Sequence, residues 1–472
     1  VSVRRTKILA TLGPATDAPG VLERLVAAGL DGGRINCAHD GPEEWRRRAG
    51  ELRAAARRTS RPLALLVDLA GPKMRLDDEV APRDVAVGEE VVFASDGRAP
   101  NGAVRAGWPG LAEAVTVGRS EIVIGDGTPR LAVIDARAHD GTVVARCERA
   151  GRLAPRKGIF VTYVQSPSST LSERDRADLR VAAEMDSDLV ALSFVRSGQD
   201  VRRLRGALEA LGSHARVVAK IEKVEAWEAL DEIIDVSDGV MVARGDLGVE
   251  AGVARVPMIQ KDVIRRSAAQ GRLVITATQM LESMIAQPEP TRAEATDIAN
   301  AILDGTSAVM LSGETTIGRY PVEAVEAMSE IAVEAERGAP YSLDVLSPTA
   351  NRAEAVMQSA VHLAERVGAA ALVITTISGG SARAAAKYRP TLPVIALSED
   401  RRVRRQLALD WGVVPGRLSH RPPSEEELAA MMLTRAREVG GLAPGDPVVL
   451  CYGPPDAGPA QTSVIAVRRI PD

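Results

Sequence analysis

Glu222 and Asp246 close two short apolar runs, Arg216–Glu222 and Gly239–Asp246. Two carboxylates so placed could share one Mg²⁺ or Mn²⁺, hard cations that take oxygen ligands and keep positions open for substrate. Other runs end on Arg34 and Asn36, on Asp68, on Lys220, on Thr278 and on Glu314. Arg34, Arg75 and Lys220 are fixed cations suited to phosphoryl oxygens and to the charge that develops when a phosphoryl group moves. Gly245-Asp246-Leu247-Gly248 adds a turn whose backbone N–H groups could receive a substrate carboxylate. Taken singly, each is an ordinary polar end of a strand. Together, oxygen ligands and cations point to phosphoryl transfer. His39 stands just beyond Asn36, and the five histidines show no HxH or HExxH spacing that would build a zinc site.

Residues this far apart in the chain need a fold that gathers them. Eight apolar runs, Lys7–Leu12, Gly33–Asn36, Leu63–Leu69, Asp188–Phe194, Arg216–Glu222, Gly239–Asp246, Arg272–Thr278 and Ser307–Glu314, alternate with amphipathic stretches such as Glu43–Arg58, Ser172–Glu184 and Arg255–Ala269. Eight such units predict an α/β fold, a (β/α)8 TIM barrel, whose strand ends converge on one face. Residues 1–70 and 159–340 are assigned to this barrel. Between them, residues 71–158 break into short β segments around Gly125-Asp126-Gly127, a hairpin turn, and predict an inserted small β-barrel lid domain on the site face. Gly338-Ala339-Pro340 begins a linker, after which the alternation restarts and predicts a C-terminal α/β regulatory domain over 350–472.

Composition excludes other classes. The 59 basic and 63 acidic side chains leave a net charge of −4, and aromatics are 3% of 472 residues. No basic surface or stacking platform for nucleic acid is expected, and no apolar run reaches the roughly 18 residues a membrane helix needs. Ile8–Leu12 reads as a first strand rather than the core of a signal sequence. Cys37, Cys147 and Cys451 are an odd, widely spaced set, which fits a reducing, cytoplasmic location and not a disulfide framework.

The motifs resemble those of the pyruvate kinase family: Thr11-Leu12-Gly13-Pro14-Ala15, Arg34-Ile35-Asn36 with His39, Asp68 followed by Gly71-Pro72-Lys73-Met74-Arg75, Lys220-Ile221-Glu222, Ala243-Arg244-Gly245-Asp246-Leu247-Gly248, Ala277-Thr278-Gln279-Met280 and Leu311-Ser312-Gly313-Glu314-Thr315. Order and spacing agree over essentially the whole chain. The resemblance implies phosphoryl transfer between phosphoenolpyruvate and ADP, giving pyruvate and ATP, in a homotetramer. It implies Glu222 and Asp246 as ligands of Mg²⁺ (or Mn²⁺), Lys220 and Arg34 on the transferring phosphoryl, Thr278 beside the enolate carbon, and the Gly245 and Asp246 amides on the carboxylate. Asn36, His39, Arg75 and the lid residue Lys157 would face the nucleotide.

The chain also departs from the family pattern. Cys37-Ala38 stands where an aromatic and a K⁺-ligating Ser are usual, Lys73 where a Glu is usual, and Leu69 where cation-dependent members commonly carry Thr. Lys73 is therefore expected to substitute for the monovalent cation, with K⁺ not required. Ile159–Tyr163 replaces a Val-Asn-Leu-Pro-Gly segment at the lid hinge. Ser378–Arg383 resembles a loop that binds a phosphorylated effector, with Gly380 at a position often held by Arg. Two alternatives follow from these departures: a specialised paralogue with an altered phosphoryl partner, and a non-catalytic ligand-binding regulator.

Overall fold

Runs of Val, Ile, Leu and Ala whose two faces are both covered form parallel strands. Those at Lys7–Thr11, Gly32–Asn36, Ala64–Asp68, Leu189–Leu192, Arg216–Ile221, Gly239–Ala243, Leu273–Ala277 and Ala308–Leu311 pair each with the next, and the last with the first, into a closed barrel. The computed structural model describes residues 4–72, 74–95, 102–108, 110–125, 127–163, 171–338, 352–454 and 461–472. The expected Lys73 therefore lies outside the described residues, as do Asp126 of the hairpin turn and most of the linker that begins at Gly338.

Strand periodicity sets what the barrel holds. Leu9, Leu66, Ala191, Val218, Met241, Ile275 and Met310 point inward and pack together, while Ile8, Val67, Val190, Val217, Val240 and Val309 pack under the helices. Two residues on from the inward layer come Thr11, Asp68, Ser193 and Lys220, so the same parity delivers a polar layer at the C-terminal mouth. The surrounding helices carry their own stop and start signals. Pro42–Arg58 opens on Pro with Glu43 and Glu44 in its first turn and ends on Arg57 and Arg58, matching the helix dipole. Ser172 and Thr291 cap Glu173–Glu184 and Arg292–Leu303, each accepting from the third backbone N–H of its helix.

Three boundaries differ from the sequence reading. The sixth strand stops at Ala243, and Arg244–Ala251 is already helix, so Gly245 and Asp246 occupy a first helical turn. The eighth strand stops at Leu311, and Glu314 sits in the short helix Gly313–Thr316. In the lid, Ile159–Val161, which the reading gave to the barrel, pairs antiparallel with Ile122–Ile124. The lid sheet runs Ile159–Val161, Glu121–Ile124, Arg130–Arg137, Thr142–Arg149, Glu90–Ala94 and Val104–Arg105 in spatial order. Phe93, Ile122, Leu131 and Val143 are among its buried core. The chain leaves the barrel for the lid through Gly71, whose φ of +67° and approach to Phe194, where a Cβ would lie 2.7 Å from the ring, leave no room for a side chain.

The C-terminal sheet orders Val413–Arg417, Val394–Ser398, Ala371–Thr375, Pro447–Tyr452 and Val464–Arg469, the last pair antiparallel. This domain docks on the N-terminal end of the barrel. Ala408 and Leu409 join the barrel's inward cluster, Arg216 pairs with Asp410 at 2.9 Å, and Lys7 Nζ donates to the Val413 carbonyl at 2.7 Å. No helix of the described residues is long and apolar enough to cross a membrane.

Candidate active site

The polar layer at the barrel mouth is one connected array. Arg34 donates from Nε and Nη2 to Asp68 Oδ2 at 2.9 and 2.7 Å, and from Nη1 to Thr11 Oγ1 at 3.0 Å. Lys220 Nζ donates to Ser193 Oγ at 2.7 Å and lies 3.2 Å from Asp68 Oδ1 and 2.9 Å from Glu222 Oε1. Ser193 in turn donates to the Leu69 carbonyl at 2.7 Å, and Glu222 Oε2 accepts from the Phe194 N–H at 2.7 Å. All four ionic side chains are nearly sealed from solvent, Asp68 and Glu222 at 1% exposure.

Burial alone would neutralise these groups, so their charges rest on one another. Burial pushes the Lys220 ammonium toward deprotonation, but Asp68 and Glu222 outweigh it and hold the proton above the ordinary lysine range. Asp68 shows the mirror balance: burial raises it, and Lys220 and Arg34 pull its carboxyl below the usual range. Glu222 goes the other way, raised by burial and by the neighbouring Asp246 despite Lys220. Its Oε1 is at ion-pair distance from Lys220 yet accepts no hydrogen bond, and the same holds for Asp68 Oδ1.

A divalent cation would compete with the Lys220 ammonium for that Glu222 oxygen. Glu222 and Asp246 offer carboxylate oxygens from adjacent barrel units, a donor set that fits Mg²⁺ or Mn²⁺ and leaves positions for substrate. Among the described residues no group of three or more His, Cys, Asp or Glu side chains forms a closed metal cage. A two-carboxylate site completed by substrate oxygens needs none.

Thr278 and Gly245 are also brought together. The Gly245 N–H donates to Thr278 Oγ1 at 2.9 Å, and Thr278 Oγ1 donates to its neighbour's carbonyl at Ala277 at 2.6 Å. The expected role of the Gly245 amide as a carboxylate donor is thus met by a competitor in this state, whereas Asp246 sits in a first turn whose N–H groups lack helical acceptors. Thr278 and Gln279 both take positive φ, +67° and +53°, a conformation that side chains adopt only when the surroundings impose it. Here the imposing residue is Arg244. Its guanidinium donates to the carbonyls of Ala277, Thr278 and Gln279 and pairs with Asp297 at 2.5 Å. The sequence reading quotes Arg244 within a motif but gives it no role, and it gives Ser193 none; the signal for Ser193 is its parity with Asp68 and Lys220 at the strand ends. Glu314, nominated as a strand end, is a brace: it accepts from the Leu281 and Ser312 N–H groups at 2.9 and 2.7 Å.

The residues expected at the nucleotide are dispersed. Asn36 folds its carbonyl back onto the Ala38 N–H at 3.1 Å, and His39 is exposed on the same loop. Arg75 donates to the Arg156 carbonyl at 2.9 Å and Lys157 to the Arg152 carbonyl at 3.2 Å, both within the lid. These long cations are held by lid backbone rather than by the barrel array. The lid meets the barrel through Lys223, which donates to the Val161 carbonyl at 2.9 Å and pairs with Glu250 at 3.0 Å. At the hinge, Thr162 donates its N–H to the Glu121 carbonyl at 3.1 Å, and Arg119 stacks over the Tyr163 ring at 4.3 Å.

Residues 3–325 match the family model described as pyruvate kinase, barrel domain, and residues 354–468 match that described as pyruvate kinase, alpha/beta domain. The chain is 39% identical to a pyruvate kinase of Geobacillus stearothermophilus over 99% of its own length and 81% of the relative's. It is 38% identical to a pyruvate kinase of Chlamydia muridarum over 88% of its length and 87% of the relative's. A pyruvate kinase of Methylorubrum extorquens is 38% identical, with 99% and 98% covered.

Proposed function

The chain belongs to the pyruvate kinase family of phosphotransferases, and on that premise we propose how its own residues divide the transfer of a phosphoryl group from phosphoenolpyruvate to ADP. The observation that carries the reading is the buried Lys220–Asp68–Arg34 array, in which Lys220 also pairs with Glu222 at 2.9 Å.

Lys220 and Arg34 face the phosphoryl group in flight, presenting positive charge that needs no rearrangement as the transition state forms. Asp68 and Ser193 orient them. Glu222 and Asp246 would hold Mg²⁺, which would supply Lewis-acid stabilisation of developing enolate charge. The Asp246 amide and, once Thr278 turns away, the Gly245 amide receive the substrate carboxylate at the helix terminus. Thr278 lies in the path by which a proton reaches the enolate carbon. Asn36, His39, Arg75 and Lys157 meet the nucleotide when ADP and its phosphates draw the lid cations inward. Assay of pyruvate formation from phosphoenolpyruvate with ADP, GDP, UDP and CDP tests this reading: Mg²⁺-dependent pyruvate with at least one acceptor is expected, and none with any acceptor would refute it. The ring of intact catalytic residues favours this over a non-catalytic regulator.

Independence from K⁺ is part of the same proposal. Ala38 has no hydroxyl to offer a cation, Leu69 is fully buried, and Asp68 already faces two fixed cations. Lys73 would carry the positive charge in its place. Full activity in buffer free of K⁺ and Na⁺ is expected; silence until K⁺ is added would overturn it. A homotetramer in the cytoplasm, with three free cysteines, completes the proposal. A phosphorylated effector at Ser378–Arg383 would bind weakly, since Gly380 brings no cation and Arg383 is drawn inward, donating to the Ser378 carbonyl at 3.0 Å.

A further inference from the structure

The lid stands on two stretches of chain, and each is pinned where it joins the barrel. On the way in, the Gly71 N–H donates to Oδ1 of the fully buried Asp175 at 3.0 Å. On the way out, the Val161 carbonyl accepts from Lys223 Nζ at 2.9 Å. Lys223 follows Glu222 directly in sequence, but its ammonium meets the lid and Glu250.

Beyond these pins the two stretches pair with each other. Leu76 donates its N–H to the Lys157 carbonyl at 2.8 Å, Ile159 to the Met74 carbonyl at 2.9 Å, and Arg75 and Gly158 form an antiparallel bridge. Arg75 and Lys157, the lid cations assigned above to the nucleotide, therefore sit on one ribbon whose exit end is Val161. Lys157 is separated from that pinned end by about 13 Å of largely extended chain, at roughly 3.3 Å per residue. A paired ribbon this short passes the position of its anchored end on to its cations.

Glu250 holds Lys223 at 3.0 Å, and the two side chains are only 2% and 12% exposed. Glu250 lies about one helical turn beyond Asp246 in Arg244–Ala251, and the neighbouring Val249 carbonyl accepts from Arg130 of the lid. The lid thus grips, by its far end, the helix that presents Gly245 and Asp246. Burial, reinforced by Glu225 and opposed by Lys223 and Arg130, pushes the Glu250 carboxyl up to about 7. Near neutral pH the ionised pair therefore costs stability, and a buried pair is often replaceable by apolar side chains without loss. What the pair supplies is a fixed place for the ammonium.

We propose that Lys223, held by Glu250, is a positioning residue that sets where Arg75 and Lys157 stand over the barrel mouth, and so governs affinity for the nucleoside diphosphate. The proposal rests on the kinase reading for the identity of that ligand. Its test needs no turnover, so a failure of the catalytic reading registers separately, in the pyruvate assay.

Calorimetric titration with ADP and with phosphoenolpyruvate in Mg²⁺, and deuterium exchange over residues 157–163 without substrates, are compared in wild type, Lys223→Met, Lys223→Met/Glu250→Met and Lys223→Arg. The double variant removes the stranded carboxylate, so the test stands even where Lys223→Met alone does not fold. Both Met variants should bind ADP about tenfold more weakly, the worth of one charge-assisted contact, with phosphoenolpyruvate bound as in wild type and exchange over 157–163 quickened. Lys223→Arg keeps donor and charge and should behave as wild type. Unchanged exchange or unchanged ADP affinity in the double variant would overturn the proposal. So would equal weakening of both ligands, or an Arg variant as impaired as the Met variants.

Discussion

Arg34 reaches a single oxygen of Asp68, Oδ2, with two of its nitrogens, at 2.7 and 2.9 Å, and so leaves Oδ1 turned toward Lys220. One buried carboxylate thereby fixes both cations proposed to face the phosphoryl group. Asp68→Asn should lower kcat by about 10²-fold, as loss of one preorganising group does. It should also destabilise the fold by about 3–5 kcal/mol, because two buried cations lose a counter-charge. Steady-state rates and urea unfolding check both, and wild-type values in either would contradict the role.

Thr278 is held at positive φ with its hydroxyl accepting from Gly245. Thr278→Ala should slow ketonisation of the enol more than phosphoryl transfer. Deuterium incorporation at the pyruvate methyl group, compared with ATP formation in the same sample, separates the steps. Equal loss in both would remove Thr278 from the proton path.

Arg244 acts through the turn it holds. Lysine keeps the charge but cannot fork to three carbonyls, so Arg244→Lys should lower kcat by about 10–10²-fold, the scale of a misplaced reacting group, with KM for ADP unchanged. A rise in KM for ADP with kcat intact would show that the turn serves the nucleotide instead.

Glu250 links barrel to lid through Lys223, and burial, reinforced by Glu225, pushes its carboxyl up to about 7. A folded-state value above the unfolded 4.5 stabilises the protein fully below about pH 4.5, and that contribution is lost as pH rises through about 7. The loss is of order 3 kcal/mol. Glu250→Gln should therefore gain on wild type between pH 5 and 7 and run parallel to it above. Urea midpoints across that range decide it; parallel curves throughout would contradict the assignment.

Much of this was legible in the chain. The eight barrel strands and the Arg34, Asp68, Lys220 and Glu222 ends follow from short apolar runs alternating with amphipathic stretches, since a parallel strand covered on both faces is apolar almost throughout. Three features were not legible, each for a physical reason. Gly245 and Asp246 read as strand because the apolar run Gly239–Ala243 precedes them without a break, whereas the chain turns into helix at once. The lid takes Ile159–Val161 because pairing with Ile122–Ile124 is a long-range contact that local pattern does not encode. Arg75 and Lys157 rest on lid carbonyls, contacts of long side chains that local pattern does not encode.

The central claim is that the Lys220 ammonium, 2.9 Å from Glu222 and 3.2 Å from Asp68, serves the phosphoryl group and not the metal. Mn²⁺ binding and pyruvate formation measured side by side on Lys220→Met test it most directly. The account predicts a fall in kcat of about 10³-fold or more, with Mn²⁺ bound as tightly as in wild type or tighter, since a like charge beside Glu222 has been removed. Turnover near the wild-type rate, or loss of Mn²⁺ binding as the cause of inactivity, would contradict it.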